Sequence, residues 1–305
     1  MFKKSFAALA VLGFCASYAN ASSVILYGVV DEALVFTHEK FDVTGEEGTK
    51  TNTFGLESGL NAPSRFGLRG VEDLGNGLQV SFVAENSFSA DDGSLGMGRL
   101  FGRELSATVS GDFGRVSLGR MGGVGSSAGS YDLVYAYGDA FDGGDNNIFG
   151  LTGAGVYDNM ITYQTPEFAG FQVTGQYSFK NDTAEDFKGI EGKASADRYA
   201  GIAATYTLGN LQTVIAYDQM MWGSNETGAD REKDQHNVYL GGNYDFGILK
   251  LFAMGQYVKG ARDFAGTEDF FDMWAEDDIA VNSREGFDGW GLHLGTVMPV
   301  AGGDW

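Results

Sequence analysis

The chain has 305 residues, and its 41 acidic and 20 basic side chains give a formal net charge of −21. So acidic a surface repels phosphate backbones, which excludes nucleic acid as an expected partner. Cys15 is the one cysteine and lies near the N-terminus, so the remaining chain has neither a disulfide framework nor a cysteine metal site. No acidic cluster has the spacing of a calcium loop, and we expect no cofactor and no metal.

The N-terminus has the three parts of a secretory signal. Two lysines precede an apolar run that ends in Ala19-Asn20-Ala21, an A-x-A cleavage pattern. The apolar run is too short to span a membrane as a helix. We therefore predict a cleaved signal peptide at residues 1–21 and a mature domain at residues 22–305. Loss of the two lysines leaves the mature domain with a formal charge of −23.

Composition and alternation predict an all-β domain. The chain has 47 Gly, 23 Phe and 14 Tyr but only 3 Pro, which is typical of short aromatic strands joined by tight turns. Twelve strands are predicted in chain order: residues 24–37, the two arms of 64–88, 99–109, 114–121, 158–165, 171–179, 199–208, 211–217, 236–245, 248–258 and 287–297.

The connections between these strands alternate in length. Short turns of about two to six residues alternate with long connections, which lie at residues 38–61, 89–98, 122–157, 180–197, 219–235 and 259–286. Transmembrane β-barrels have this asymmetry, with short periplasmic turns and long external loops. A soluble β-sandwich, the alternative, has no reason to place its long loops at one end.

The strands have one apolar and one polar face. In the strand at 171–179, Phe171 and Val173 alternate with Gln172 and Thr174. Alternation alone fits a soluble barrel as well, but the secretion signal and the loop asymmetry favour a membrane barrel with a wet interior. Aromatic residues near strand ends are interpreted as girdle residues: Tyr27, Tyr163, Tyr177, Phe179, Tyr206, Tyr217, Tyr239, Tyr244, Phe246 and Tyr257.

The connection at residues 122–156 differs from the other loops. It is too long for a hairpin turn and contains many glycines together with several Tyr, Phe and Ile residues, which favours a folded element over a disordered tail. Four acidic residues in it are accompanied by no Lys or Arg: Asp132, Asp139, Asp142 and Asp145. We predict that this loop folds into the bore of the barrel and narrows it.

Several sequence blocks resemble the Gram-negative general diffusion porins. These blocks are Ser64-Arg-Phe-Gly-Leu-Arg-Gly70, Glu72-Asp-Leu-Gly-Asn-Gly-Leu78, Gly111-Asp-Phe-Gly114, Leu118-Gly-Arg120 and Pro166-Glu-Phe-Ala-Gly-Phe171. The resemblance covers essentially the whole mature chain. It implies an antiparallel, sixteen-stranded transmembrane β-barrel that forms homotrimers in the Gram-negative outer membrane, with a third loop that narrows the pore.

One departure from this family concerns the C-terminal end. Porins close their barrel with a final strand that ends in an aromatic residue, whereas Trp305 follows a turn-like stretch after only twelve strands. We therefore expect a porin domain that lacks its last strands. Twelve strands could in principle close into a narrower barrel, but such a bore leaves little room for the long loop, so we predict that the first and last strands stay unpaired.

Four arginines are candidates for the pore wall: Arg65, Arg69, Arg103 and Arg120. A strand arginine faces either the wet bore or lipid, and facing lipid costs roughly 2 to 4 kcal/mol at the midplane. By resemblance these arginines form a basic ladder opposite the acidic loop. Arg120 shares the parity of apolar Leu118, so a place in the bore requires a bulge or a position beyond the strand end.

The expected function is passive diffusion of small hydrophilic solutes and ions, with a preference for cations because of the acidic loop and the negative charge. The alternatives are a substrate-specific channel and an adhesin anchored by its barrel.

An enzyme is not expected, because the mature chain has three histidines and neither a nucleophile elbow nor a zinc-protease motif. Outer-membrane lipid and lipopolysaccharide are expected partners. Acidic runs such as Glu276-Asp277-Asp278 are interpreted as a solvated external loop, with bridging to lipopolysaccharide through divalent ions as the alternative.

Overall fold

The structure is a computed structural model that describes residues 24–41, 49–60, 62–126, 128–138, 155–184, 189–223, 233–261, 286–300 and 303–304. Almost all of its regular structure is β. The strands are β1 (Ile25–Val29), β2 (Glu32–Phe41), β3 (Thr49–Ser58), β4 (Arg65–Gly75), β5 (Leu78–Ser87), β6 (Glu104–Gly111), β7 (Gly114–Gly122), β8 (Val156–Gln164), β9 (Phe171–Ser178), β10 (Arg198–Leu208), β11 (Leu211–Met221), β12 (Gln235–Asp245), β13 (Lys250–Ala261), β14 (Phe287–Val297), β15 (Pro299–Val300) and β16 (Gly303–Asp304). One short helix, α1, spans Val134–Gly138.

Twelve of these strands form one antiparallel sheet. Its order is β1, then β4 to β14 in sequence, so each strand from β4 onward is hydrogen-bonded to the next along the chain. Among the described residues this sheet has twelve strands, the number predicted, and the further strands form two separate hairpins. The bounds of β14 agree with the sequence prediction at both ends, because Trp290, Leu292 and Leu294 alternate with Gly289, Gly291, His293 and Gly295.

The lengths of the connections separate by end, as predicted. The turn between β4 and β5 consists of Asn76 and Gly77, both with positive φ (53° and 76°), the conformation that tight hairpins require. The β10–β11 connection is equally short, whereas the connections that precede β6, β8, β10, β12 and β14 are long. We call the end of the sheet that carries the short turns the short-turn end, and the opposite end the long-loop end.

The prediction of one strand over residues 24–37 and a loop over 38–61 is wrong. The strand breaks at Asp31, whose backbone N–H and C=O both hydrogen-bond to the Ser64 hydroxyl at 2.9 Å. Beyond the break, β2 leaves the main sheet and pairs with β3, which lies inside the predicted loop. Apolar residues meet across this hairpin, as in the Phe36–Phe54 pair, and this cross-strand contact stabilises a segment that is polar in its own sequence.

The strand predicted to begin at residue 99 begins at Glu104 instead. Residues 96–98 form a short 3-10 turn, and Met97 and Phe101 have positive φ (58° and 55°), which interrupts the extended backbone. Arg103 therefore lies immediately before β6 and not within a strand.

The sheet has two free edges in the part of the chain that the structure describes. Strand β1 pairs with β4 alone, and β14 pairs with β13 alone. The prediction that the first and last strands stay unpaired is confirmed.

Candidate functional site

The sheet has a polar face and an apolar face, and the alternation on β9 illustrates both. Phe171 and Val173 are 54% and 39% exposed, whereas Thr174, Gln176 and Ser178 are buried. The apolar side chains therefore point away from the molecule, and the polar ones point to the side that other parts of the chain cover. This is the orientation of a barrel that meets lipid outside and water inside.

The segment after β7 lies against the polar face. We call residues 123–138, of which 127 is not described, the inward segment. The Val124 amide donates a 2.9 Å hydrogen bond to the hydroxyl of Tyr199 on β10, and the Asn243 side chain on β12 donates one of 2.8 Å to the Tyr137 carbonyl. These bonds connect the segment to strands that are distant in sequence, so the described part of the predicted loop folds inward.

Helix α1 is held on one side of the bore by apolar contacts. Gly138 packs on Met254 of β13 so closely that a Cβ at this position would overlap the methionine side chain. Val134 and Val124 are fully buried. The apolar cluster consists of Val124, Leu133, Val134, Tyr135, Ala203, Val214, Ala216, Tyr239 and Met254, with Tyr137 packed against it.

The middle of the inward segment, at Ser130 and Tyr131, is held by polar groups of β6 and β7. Glu104, which is 1% exposed, accepts hydrogen bonds from the Ser130 amide at 2.8 Å and from the Ser130 hydroxyl at 2.9 Å. The Tyr131 hydroxyl lies 2.6 Å from that of Ser117, and the Arg115 guanidinium lies 5.0 Å from the centre of the Tyr131 ring. A buried carboxylate thus fixes the segment at the opposite wall from α1.

Two of the predicted wall arginines lie on the polar face of β4. Arg69 is exposed and lies 5.2 Å from the centre of the Tyr27 ring. Arg65 donates a 3.0 Å hydrogen bond to the Pro63 carbonyl. The Tyr27 ring crosses Gly67, where an added Cβ would lie 2.6 Å from it, so a side chain at 67 would displace the aromatic partner of Arg69.

Arg103 belongs to a neighbouring ion pair. Its Nε lies 2.6 Å from Oε1 of Glu85, and both side chains are about nine-tenths buried. The Tyr27 hydroxyl donates to the other oxygen of Glu85 at 2.9 Å. The charge of Arg103 is therefore matched locally, unlike that of Arg69.

Arg120 lies in a separate cluster at the long-loop end. The pairing of β7 with β8 shifts between Gly119 and Met121, so the predicted bulge is confirmed. The Arg120 guanidinium donates to Asp158 Oδ1 at 2.6 Å and to the Gly102 carbonyl at 2.7 Å. The structure thus does not join Arg120 to Arg65 and Arg69.

The Asp158 cluster also ties two loops together. Arg99, from the loop before β6, bonds to Asp158 and to Asp182, each at 2.8 Å, and Thr183 donates to Asp158 through both its amide and its hydroxyl. Burial disfavours the charged form of Asp182, but hydrogen bonds from Arg99 and from the Ala184 amide outweigh it and hold the pKa of Asp182 below its usual value.

Of the four predicted loop aspartates, Asp132 is described and the others are not. Its carboxylate accepts a hydrogen bond from the Ala136 amide at 3.1 Å, at the start of α1. Asp139, Asp142 and Asp145 lie outside the described residues.

Sequence reasoning missed Glu85, Glu104 and Arg115 as site residues. Strand parity was the signal for them, because each alternates with apolar residues and faces the same side as the serines of its strand. The interpretation of Tyr27 and Tyr239 as girdle residues is wrong. Both turn to the polar face, where Tyr27 binds Glu85 and Tyr239 is 1% exposed beneath the inward segment.

Comparison with known proteins agrees with this architecture. The profile of the Gram-negative porin family matches residues 8–303. The chain belongs to the Gram-negative porin family. Outer membrane porin protein 32 of Delftia acidovorans is 35% identical over 312 residues, which cover 98% of this chain and 77% of that protein. An outer membrane porin of Bordetella pertussis is 35% identical over 264 residues, or 82% of this chain and 68% of the relative.

Solved porin structures share the fold. An anion-selective porin from Comamonas acidovorans superposes with a TM-score of 0.61 at 28% identity, over 92% of this chain and 76% of that one. The outer membrane channel DcaP of Acinetobacter baumannii superposes with a TM-score of 0.59 at 16% identity, which supports the fold alone. This porin is accordingly an outer-membrane protein of the Gram-negative type, and its relatives are channel proteins and not enzymes.

The described residues of this porin contain neither a membrane-spanning helix nor a candidate metal site. None of the helices there has the length and apolar character needed to cross a bilayer. The same part of the chain contains no group of three or more His, Cys, Asp and Glu side chains that could hold a metal ion.

Proposed function

We propose that this porin forms a water-filled channel for passive diffusion of small hydrophilic solutes, with the loop at residues 122–156 as its constriction. The observation that carries the proposal is the inward segment, which lies on the polar face between the β6–β7 wall and the strands that contact α1. A segment inside the bore limits the size of solutes that pass, and fixed charges beside it select among them.

Conductance of the full-length protein in planar bilayers tests this proposal. We expect stable steps of conductance that scale with the salt concentration and no saturation with any single sugar. Absence of steps from protein that is correctly folded and inserted would refute the channel. Flux that saturates for one solute would favour a substrate-specific channel instead.

A substrate-specific channel needs aromatic surfaces that line an open path. Of the described aromatic side chains on the polar face, Tyr131, Tyr199 and Tyr239 are each 1% exposed and offer no face to a passing solute, whereas Tyr27 is partly exposed. This supports general diffusion over recognition of one sugar.

For ion preference there are two candidates. Cation preference follows from the net charge of −21 and from the loop aspartates, of which Asp139, Asp142 and Asp145 lie outside the described residues. Anion preference is favoured by Arg69 and Arg115, which form no ion pair with the described residues of the wall. A solved porin of 28% identity is anion-selective.

Reversal potentials under a salt gradient separate these candidates. If the loop sets the preference, neutralising Asp139 and Asp142 together reduces a cation preference. If the wall sets it, the native protein prefers chloride and the aspartate variant prefers it more strongly. Either effect should shrink near 1 M salt, where the screening length falls to about 3 Å.

The proposal also covers the number of subunits and the membrane that surrounds them. We infer a homotrimer in outer-membrane lipid, with the long-loop end facing lipopolysaccharide. Exposed apolar side chains such as Leu240, Leu292 and Leu294, which are 63% to 79% exposed, support a surface that lipid or a neighbouring subunit covers. Cross-linking in native membranes followed by gel electrophoresis would reveal the number of subunits.

A further inference from the structure

A cavity of about 320 Å³ lies on the polar face between the inward segment and strands β4 to β7. Arg69 and Arg115 line it, and hydroxyl groups from the wall and from the inward segment line the rest of its polar surface. The hydroxyl-bearing residues are Ser81, Thr108, Ser110, Ser117, Ser130 and Tyr131. No Asp or Glu is among the described residues that line the cavity.

The register of the strands explains why the two arginines share one cavity. Ser81 of β5 is the cross-strand partner of Thr108 on β6, and Thr108 is the partner of Ser117 on β7. This row of hydroxyls runs across the wall between Arg69 on β4 and Arg115 near the start of β7. The cavity therefore has one guanidinium toward each side, with the hydroxyl row between them and apolar side chains, Ile25, Val71, Phe82 and Val83, in the rest of its lining.

The nearby carboxylates are already bonded elsewhere. Both oxygens of Glu104 accept from Ser130, and both oxygens of Glu85 are taken by Tyr27 and Arg103. Glu85 is thus neutralised by Arg103, whereas Glu104 keeps its negative charge beside Ser130, so the two arginines at the cavity face one carboxylate of this wall.

Arg115 has capacity to bind a further acceptor. Its guanidinium is held against the Tyr131 ring, and its Nε is buried with no hydrogen-bond partner in the described structure. A buried donor without a partner is costly, so a rotation of the Arg115 side chain that let Nε bond to an acceptor in the cavity would relieve a cost that the protein already carries.

We propose that this cavity is a binding subsite for small oxyanions of the phosphate class. Guanidinium groups match the oxygens of a phosphate with paired charge-assisted hydrogen bonds, and the hydroxyl row supplies neutral donors to the remaining oxygens. Arg115 follows the β6–β7 turn, so the subsite lies toward the short-turn end of the bore. The inference rests on the proposed function in one respect, namely that solutes reach the cavity through a water-filled bore.

The test compares the native protein with the double variant Arg69→Gln, Arg115→Gln. Chloride currents are recorded at about 0.1 M ionic strength, where the screening length is about 10 Å, while inorganic phosphate is added. In the native channel, phosphate should reduce the chloride current in a saturable way. The double variant should need about tenfold more phosphate or lose the effect, because each arginine supplies charge-assisted hydrogen bonds.

A matched control removes two positive charges elsewhere. This control is the double variant Arg198→Gln, Lys259→Gln. Arg198 and Lys259 alternate with Tyr199 and Val258, which face inward, so both altered side chains point away from the cavity. The net charge of the protein therefore changes by the same amount, while the cavity is unaltered. This control should respond to phosphate like the native channel. If the double variant folds poorly by circular dichroism, Arg69→Gln alone alters an exposed side chain and should still weaken the phosphate effect.

Calorimetric titration of phosphate into the folded protein in detergent separates this inference from the channel proposal. Phosphate binding that the double variant loses would support the subsite even if no channel current were found. Conducting native channels without a phosphate effect, or an equal effect in the native protein and the double variant, would overturn the subsite.

Discussion

The two walls that hold the inward segment differ in chemistry. Strands β10 to β13 meet α1 through an apolar cluster in which Val134 and Val214 are buried and make no polar contact of their side chains. Strands β6 and β7 meet the middle of the segment, at Ser130 and Tyr131, through Glu104, Ser117 and Arg115. The apolar wall holds the segment by packing of buried side chains, whereas the polar wall holds it by directional hydrogen bonds.

This difference indicates where solutes pass. Apolar packing excludes water, so the side of the bore under α1 is filled. The polar wall keeps a cavity of about 320 Å³ beside Arg69 and Arg115, where hydroxyl groups can bind water. Because hydrogen bonds are directional, the polar wall can fix the segment at one point and leave space around it.

The largest expected effect comes from a charge at the apolar wall. Val134→Asp puts a carboxylate at a fully buried position among apolar neighbours, and such an unpaired charge costs several kcal/mol. The segment should leave the wall, so conductance and the size of permeating solutes should both rise. Liposome swelling with sugars of increasing length measures this change.

The control for that variant lies on the same helix. Ala136 is exposed, so Ala136→Asp adds the same charge without burying it and should leave the size limit unchanged. If both variants behave like the native protein, the apolar contacts do not hold the segment in place.

A smaller effect is expected at the polar wall. Glu104→Ala removes the acceptor of the Ser130 amide and hydroxyl; because Ser130 is exposed, water replaces part of the lost bonds, and the loss should be about 1 kcal/mol. Faster hydrogen exchange of the Ser130 and Tyr131 amides should report the loosened attachment. Glu104→Gln keeps an acceptor oxygen of similar shape and should exchange at an intermediate rate. Unchanged exchange in the alanine variant would show that Glu104 does not anchor the segment.

The sequence predicts the fold well where one local pattern decides it. In β14, Trp290, Leu292 and Leu294 alternate with glycines and His293, and these three side chains are 70% to 79% exposed on the apolar face. Strand β3 escaped prediction because its polar sequence carries little signal until Leu56 and Phe54 are seen opposite the apolar residues of β2. Local alternation is visible in a sequence, but partners across a hairpin are not.

The same limit applies to the site. The sequence indicates Arg65 and Arg69 because they alternate with Phe66 and Leu68, but it does not reveal that Arg103 is paired with Glu85. That pairing depends on the register between β5 and the chain just before β6. Ion pairs across strands therefore decide which wall charges remain available to solutes, and they become known only with the structure.

The smallest effect concerns the Asp158 cluster, which lies away from both walls. The pKa of Asp182 is lowered, so the bond from Arg99 favours the folded loops at any pH above the usual carboxylate pKa of about 4. That contribution should stay constant from neutral pH down to about pH 4 and be lost as the pH falls further through the lowered pKa. Proteolysis of the loop that contains Asp182, measured against pH, should show protection that declines only in this acidic range.

The variant Asp182→Asn isolates this contribution, because Asp158 also titrates and binds the same arginine. An asparagine side chain does not titrate, so the difference in protection between the native protein and this variant should be constant above about pH 4 and disappear at lower pH. Since Asp182 is 35% exposed, solvent screens the pair and the difference should be small. A difference that grew as the pH fell would mean that Arg99 is held mainly by Asp158, and that Asp182 opposes the closed arrangement of the two loops.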